Sequence, residues 1–142
     1  MATLDRALQI AVNVHKGQKD KFGEPYILHP LRLMQRMATI DEKIIAVLHD
    51  VIEDSSLTTN DLLKEGFNDT IVHVVDLLSK REGEKYDHYI SRLQSDAIAR
   101  KIKLADLEDN MDLTRIHQMG EEDRRRLSRY HKAWLTLKAK ET

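Results

Sequence analysis

The stretch AVLHDVIED, residues 46–54, places a histidine and three carboxylates inside an otherwise apolar run. Its apolar positions have the period of a helix, so the sequence predicts that the stretch is helical. Because residues four apart share a face of a helix, His49 should lie above Glu53. Asp50 should lie above Asp54 in the adjacent row. Ionisable groups are costly to bury without a compensating partner, and a divalent cation is the simplest partner for imidazole and carboxylate groups.

A metal site needs more ligands than two adjacent side chains, so the rest of the chain should supply them. His29 precedes Pro30 at a predicted junction of loop and helix, where a side chain can be aimed at a fixed point. Asp106 lies in a predominantly apolar predicted helix, and Asn110 falls one turn beyond it on the same face. Each candidate has an ordinary alternative, because a histidine at a helix start often binds backbone groups and a lone aspartate on such a helix is more often exposed. The acidic patch in residues 46–54 could likewise be a solvated helix end. From these residues alone, the metal site is a hypothesis.

Helical periodicity extends through the chain, and no long segment alternates between polar and apolar residues. The fold is therefore predicted to be all-α. Thr39 and Glu42 have the spacing of a capping box and mark the start of the helix that carries residues 46–54. Glycine and proline predict a loop at GEPY, residues 23–26. The predicted helices are residues 4–14, a segment with Pro30 in its first turn, a segment after Thr39, a short segment that ends near Gly66, a segment capped by Asn68 or Asp69, and residues 86–94, 96–117 and 121–139.

Composition limits the classes of protein to which the chain can belong. Its 142 residues suffice for a real core, and we expect a single domain over residues 1–142. No apolar run approaches the ~20 residues that a membrane span needs, and the N-terminus lacks the pattern of a secretory signal. The absence of cysteine excludes disulfides, thiolate zinc sites and cysteine nucleophiles, and it fits a cytoplasmic protein. A net charge of -1 gives no general sign of nucleic-acid binding, so an anionic ligand would need a local cationic cluster.

The order of the candidate ligands resembles a known signature. His29, then the pair His49-Asp50, then Asp106 are similar to the H…HD…D pattern of the HD-domain metal-dependent phosphohydrolases. Three longer segments narrow the resemblance. HKGQKDKFGEPYILHP, AVLHDVIED and IKLADLEDNMD resemble segments in the hydrolase domain of RelA/SpoT proteins and in the small alarmone hydrolases. The similarity runs from about residue 4 to residue 113.

This resemblance implies a compact, single-domain HD-type helical bundle that holds one divalent metal ion, usually Mn²⁺. The implied metal ligands, carried over residue by residue, are His29, His49, Asp50 and Asp106. Such ligands also suit Fe²⁺ and leave Zn²⁺ open, whereas Mg²⁺ prefers oxygen. Glu53 and Asp54 match the acidic pair that positions and activates the attacking water. Repulsion between two such close carboxylates should raise the pKa of one of them.

The activity implied by the resemblance is hydrolysis of guanosine 3′,5′-bis(diphosphate) at the 3′ position, with release of pyrophosphate. Lys21 matches a basic residue of the substrate pocket, and Asn110 matches an asparagine that contacts the nucleotide. Asp20 is included among the substrate contacts, but it stands where the family has an arginine linked to the purine. Asp112 and Leu113 likewise replace an arginine and a threonine. The preference for guanine or adenine is therefore left open.

Other interpretations stand beside this one. The chain could be a related HD phosphohydrolase that acts on an adenine alarmone, a nucleotide 5′-phosphate or a phosphorylated dinucleotide. It could also be a nucleotide-binding regulator without turnover. Tyr86 and Tyr89 could stack on a base, although aromatic residues three apart are more often part of a core. The basic run DRRRLSRYHK, residues 123–132, is interpreted as a solvated helix face, and Trp134 is expected to pack that helix onto the domain.

Overall fold

The computed structural model describes residues 2–141, which form eight α-helices and no strand. The predicted all-α fold is confirmed. No helix among these residues is long and apolar enough to cross a membrane. The helices are α1 (Leu4–Val14), α2 (Leu28–Gln35), α3 (Ile40–Leu48), α4 (Thr59–Glu65), α5 (Asp69–Leu78), α6 (Tyr86–Leu93), α7 (Ala97–Asn110) and α8 (Glu121–Lys138), with short 3₁₀ turns at Leu113–Arg115 and Ala139–Glu141.

Helix α3 is the centre of the fold. Its last five residues, 44–48, are all buried, so the C-terminal half of the helix is apolar on every side and must be surrounded. It packs against α1, α2, α5 and α7. Helix α8 covers the outer side of α7, where Trp134 packs against the core and donates a hydrogen bond to Glu108. This arrangement brings the C-terminal end of α3 between α2 and α7.

The helix starts follow from local side-chain chemistry. Thr39 and Glu42 form the predicted capping box at the start of α3. Asn68 caps α5, as its side chain accepts a hydrogen bond from the backbone N–H of Ile71. Helix α4 ends at Gly66, which has a φ of 101° in the left-handed region that glycine adopts without strain.

The prediction that one helix carries all of residues 46–54 was wrong. Helix α3 ends at Leu48, and the residues from His49 to Asp54 form successive turns. The cause is the ring of His49, whose Nδ1 lies 2.7 Å from the carbonyl oxygen of Ala46 and takes the acceptor that a continuing helix would use. The next backbone bond, from Val51 to Leu48, spans three residues instead of four. A four-residue bond returns only between Asp54 and Asp50.

The prediction of one helix over residues 96–117 was also wrong at its C-terminal end. Helix α7 ends at Asn110. The side chain of Asp112 then accepts a hydrogen bond from the backbone N–H of Thr114, and a 3₁₀ turn follows. A side-chain acceptor that competes for backbone donors in this way favours a new turn over continued helix. The consequence is that Arg115 turns back toward the loop at residues 19–25, as described below.

Candidate metal centre and cleft

The four predicted metal ligands come together at the end of α3. They are His29 in the first turn of α2, His49 at the C-terminal cap of α3, Asp50 directly after it, and Asp106 on the buried face of α7. Ligand atoms of His29, His49 and Asp50 all lie within 4.8 Å of one another. The carboxylate of Asp106 adjoins this group, with its Oδ1 2.7 Å from His29 Nε2 and 3.7 Å from His49 Nε2. The arrangement is a candidate site for a divalent cation.

Both imidazole rings are turned so that Nε2 faces this group. The Nδ1 atom of His49 is engaged by the Ala46 carbonyl, and that of His29 lies 2.6 Å from Asp109 Oδ2. Ligating histidines characteristically hold their second ring nitrogen in this way, which fixes the orientation of the ring. His49 Nε2 is buried and forms no well-aligned hydrogen bond among the described residues, although Asp50 Oδ2 lies 3.0 Å from it. A buried polar atom without a well-aligned partner is costly, and a cation shared with the carboxylates would supply that contact.

Two supporting residues were missed by the sequence analysis. Asp109 binds the ring of His29 and accepts hydrogen bonds from Arg32 at 2.7 and 2.9 Å. Burial opposes its ionisation, but the hydrogen bonds from His29 and Arg32 lower the pKa of Asp109. Tyr26 donates a hydrogen bond to Asp50 Oδ2. The spacing of Asp109, three residues after Asp106, was a usable signal for a shared helix face, whereas Tyr26 lies in a loop and gave none.

The carboxylates of the centre are held in their charged form. Burial would raise the pKa of Asp106, but Lys103 at 2.7 Å and the two imidazoles hold that pKa well below its usual value. Burial likewise opposes ionisation of Asp50, yet the neighbouring His49 lowers the pKa of Asp50 to about 2. Both groups therefore offer charged oxygens at neutral pH. A cation bound there would meet two negative charges in a largely buried setting, where attraction is stronger than in water.

The two acidic residues that follow the centre contact different segments. Glu53 accepts a hydrogen bond from the backbone N–H of Lys80, in the loop between α5 and α6. Asp54 Oδ2 accepts a hydrogen bond from Gln18 at 3.2 Å and lies 3.7 Å from His15 Nδ1. Partial burial, with the charges of Asp50 and Asp54, raises the pKa of Glu53. The expected rise of one pKa is confirmed in direction, and its main cause is desolvation.

A cleft of about 200 Å³ leads away from His29. The predicted substrate contacts Lys21, Asn110 and Asp20 line it, together with Arg115. Asn110 also donates a hydrogen bond of 3.1 Å to Asp106 Oδ1, so it connects the cleft to the candidate metal centre.

Helix α8 lies beside this cleft, where Tyr130 contacts one of the lining residues. Lys21 Nζ lies 3.4 Å from both the side-chain oxygen of Asn110 and the hydroxyl of Tyr130. The basic face of α8 was predicted to be solvated, and the contact of Tyr130 with Lys21 was not predicted. The remaining predicted contact, Tyr86, packs beside Tyr89 and under Arg129. Its hydroxyl is buried without a hydrogen-bond partner among residues 2–141.

The HD domain family matches this chain over residues 7–111. A guanosine-3′,5′-bis(diphosphate) 3′-pyrophosphohydrolase of Aquifex aeolicus (strain VF5) is 32% identical over 120 residues, which cover 76% of this chain and 17% of that protein. The protein of the same name in Haemophilus influenzae (strain ATCC 51907 / DSM 11121 / KW20 / Rd) is 34% identical over 117 residues, covering 72% of this chain and 17% of that protein. A GTP pyrophosphokinase of Myxococcus xanthus is 31% identical over 88% of this chain and 18% of its own length. This chain thus spans less than a fifth of the length of these relatives.

A solved structure has the same fold. It is described as a metazoan ortholog of SpoT that hydrolyzes ppGpp and plays a role in starvation responses. The two structures superpose with a TM-score of 0.75, at 23% sequence identity, over 96% of this chain and 85% of the other. At that identity the likeness establishes the fold.

Proposed function

The chain belongs to the HD-domain family, and from this premise we propose that it is a metal-dependent hydrolase of guanosine 3′,5′-bis(diphosphate) that cleaves at the 3′ position. Water would be added across the 3′ ester bond, giving guanosine 5′-diphosphate and pyrophosphate. The observation that carries the proposal is the convergence of His29, His49, Asp50 and Asp106 beside a cleft with cationic residues. The names of the relatives from Aquifex aeolicus and Haemophilus influenzae support the choice of substrate.

We assign the metal ligands as His29, His49, Asp50 and Asp106. Two imidazole nitrogens and two carboxylates suit Mn²⁺ or Fe²⁺ better than Mg²⁺, and we propose Mn²⁺ as the working ion. When bound, such a cation supplies Lewis acidity to a phosphoryl oxygen and lowers the pKa of a water molecule. Without one, Asp50 and Asp106 raise the pKa of His49 well above its usual value against the effect of burial. Metal binding would therefore release protons from the imidazoles.

Glu53 is assigned as the group that accepts the proton of the attacking water. Its Oε1 is held by the Lys80 N–H, so Oε2 is left for the water. The raised pKa of Glu53 makes it a better proton acceptor than an ordinary surface carboxylate while it is still charged at neutral pH. Asp54 is assigned to orient the same water, because its Oδ2 accepts a hydrogen bond from Gln18, which is in turn bonded to His15.

Lys21 and Asn110 are assigned to the phosphate groups. The contacts of Lys21 Nζ with Asn110 and Tyr130 are long, at 3.4 Å, so phosphate oxygens can replace them at little cost. An ammonium group that approaches the leaving pyrophosphate offsets the charge that develops there. Asn110 donates a hydrogen bond to Asp106, so its own position in the cleft is tied to that of the assigned metal ligand.

The experiment that tests the proposal measures pyrophosphate released from guanosine 3′,5′-bis(diphosphate) by the purified chain. We expect release with added Mn²⁺ and none with a chelator. Metal uptake without any release would overturn the reaction while leaving the metal site standing. The regulator without turnover would give that result, although the presence of both Glu53 and Asp54 argues against it.

One alternative has a specific observation in its favour. Asp20 occupies the place of an arginine that the family links to the purine, so another nucleotide could be the substrate. The same assay with adenosine 3′,5′-bis(diphosphate) separates the two readings. Faster release from the adenine compound would make the chain an HD phosphohydrolase of adenine alarmones.

A further inference from the structure

Where the cleft is lined by connections between helices, two charged side chains from distant segments face each other. Asp20 belongs to the loop after α1, and Arg115 belongs to the 3₁₀ turn after α7. Arg115 Nη1 lies 3.9 Å from Asp20 Oδ2, which is longer than a hydrogen bond. We propose that these two groups bind the base of the nucleotide and select guanine over adenine. The inference deepens the proposed function and rests on it for the position of the phosphates near His29.

The side chain of Asp20 is fixed and offers one free oxygen. Its Oδ1 accepts hydrogen bonds from the backbone N–H groups of Phe22 at 2.9 Å and Glu24 at 3.0 Å. The side chain is 12% exposed, so the loop holds it in one orientation. The remaining oxygen, Oδ2, faces Arg115 across the cleft. A charged carboxylate is a hydrogen-bond acceptor only, so a ligand there must present donors.

The guanidinium of Arg115 is also held in place. It lies 5.1 Å from the centre of the Phe22 ring, and its Nη2 donates to the backbone carbonyl of Asp109. Its Nε is buried and has no hydrogen-bond partner within residues 2–141. Because the guanidinium is planar and rigid, these contacts also fix the direction in which Nη1 can donate a hydrogen bond into the cleft.

The charges around Arg115 favour a neutral ligand over another phosphate. Besides Asp20, the carboxylate oxygens of Asp109 and Asp112 lie 3.5 and 3.6 Å from the guanidinium. Three carboxylates surround Arg115, and in the described part of the chain only one further arginine or lysine, Arg32, pairs with them, so the cluster has no excess positive charge and an incoming phosphate would be repelled. A base has no net charge and can use the donor and the acceptor without that cost.

The order of donor and acceptor matches guanine. Guanine carries an acceptor, O6, beside two donors, N1–H and the N2 amine. Arg115 Nη1 can donate to O6 while Asp20 Oδ2 accepts from N1–H and the amine. Hypoxanthine lacks the N2 amine, and adenine has a single amine and no N1–H. Leaving a buried charged acceptor without donors is costly, so affinity should fall in the order guanine, hypoxanthine, adenine.

Calorimetric titration with three nucleoside 5′-diphosphates, in the presence of Mn²⁺, tests the inference without turnover. We expect GDP to bind at least tenfold more tightly than ADP, and IDP to fall between them. In Asp20→Asn, the amide oxygen can still accept from Phe22 and Glu24, but an NH₂ group replaces Oδ2 and opposes the donors of guanine. The ratio of the ADP to the GDP dissociation constant should then drop below three.

A matched control changes the same charge in the same loop. Glu24 is exposed, and Glu24→Gln alters one carboxylate to an amide without touching the pair. That variant should keep the preference of the wild type. Arg115→Lys retains the positive charge but loses the planar donor, so it should reduce the preference severalfold.

The outcomes separate the inference from the proposed function. Equal binding of GDP and ADP by the wild type, no binding of either, or an unchanged ratio in Asp20→Asn would overturn base selection, even if pyrophosphate release from guanosine 3′,5′-bis(diphosphate) is normal. A guanine preference that Asp20→Asn abolishes, in a chain that releases no pyrophosphate, would support base selection and overturn the reaction instead.

Discussion

At the metal end of the cleft, His29, His49 and Asp106 are buried, and each is held by a second group. At the base end, Asp20 and Arg115 lie on a loop and a 3₁₀ turn and approach each other without a hydrogen bond. The metal end is thus built on three packed helices, whereas the base end is built on connections between helices. Loops positioned by a rigid scaffold are where specificity usually varies.

This difference separates two kinds of effect. A substitution at the metal end leaves a buried charge or a lost ligand, so it should remove activity on every substrate. A substitution at the base end should change which nucleotide is preferred and leave the chemistry intact.

Removal of a metal ligand should abolish activity. Asp50→Ala deletes one carboxylate of the centre and leaves the hydroxyl of Tyr26 without its acceptor. We expect loss of bound metal and a fall in kcat of at least a thousandfold, measured by metal analysis and by pyrophosphate release. Asp41→Ala is a suitable control, because Asp41 is an exposed aspartate in the first turn of α3, the helix that precedes Asp50. Retention of metal and activity in Asp50→Ala would remove it from the ligand set.

Glu53→Gln should keep the metal and lose turnover. An amide cannot accept the proton of the attacking water, so we expect kcat to fall about a hundredfold or more. The activity of the wild type should also fall as the pH is lowered, because only the charged form of Glu53 can act as a base. Desolvation raises the pKa of Glu53 above 4.5, so this loss should occur above the pH expected of an ordinary glutamate. The residual activity of the variant should lack this acid limb. Full activity in Glu53→Gln would contradict the assigned role.

Asp109→Asn should weaken metal binding more than chemistry. Asp109 orients the ring of His29, and losing such a contact typically costs a factor of about 10 to 100 in metal affinity. We expect the activity at saturating Mn²⁺ to recover substantially. Glu108→Gln is the matched control, since the neighbouring carboxylate contacts Arg36 and Trp134 instead. Equal metal affinity in the two variants would show that Asp109 has no such role.

The helices could be predicted because their signals are local. Periodicity and the capping box of Thr39 and Glu42 depend on residues within a few positions of each other. The end of α3 could not be predicted, because it depends on a side-chain contact. The ring of His49 binds the carbonyl of Ala46, which would accept a backbone hydrogen bond if the helix continued. The side chain that stops the helix is one of the four that converge at the candidate metal centre. Local rules therefore failed where the site imposes its own geometry.

The candidate site, like the helices, was predicted in part. The four candidate ligands followed from the order of motifs, and the structure brings them together. The approach of Arg115 to Asp20 had no signal in the sequence, because the two residues meet only after α7 ends early and its 3₁₀ turn reverses the chain. The sequence analysis noted the loss of the family arginine at position 20 but could not find a second arginine that the fold brings beside it.

The smallest expected effect concerns the loop between α5 and α6, which supplies the Lys80 N–H to Glu53. Glu84 anchors this loop by accepting hydrogen bonds from Arg92 at 2.8 and 3.1 Å, and its side chain is 7% exposed. The hydrogen bonds from Arg92 lower the pKa of Glu84 to about 2. Because the folded value is below the unfolded value, the stabilisation is present above about pH 4.5 and is lost as the pH falls toward 2.

Glu84→Gln should therefore lower the free energy of unfolding at pH 7 by about 1 kcal/mol and by less near pH 2.5. Urea unfolding at the two pH values measures both quantities. A similar loss at both would mean that the carboxylate charge is not what holds the loop. If the loop also positions Glu53, kcat should fall severalfold at pH 7 while metal affinity and base preference stay unchanged. The proposed proton acceptor would then depend on a connection between helices, as the base end does, whereas most of the candidate metal ligands beside it are positioned by helices.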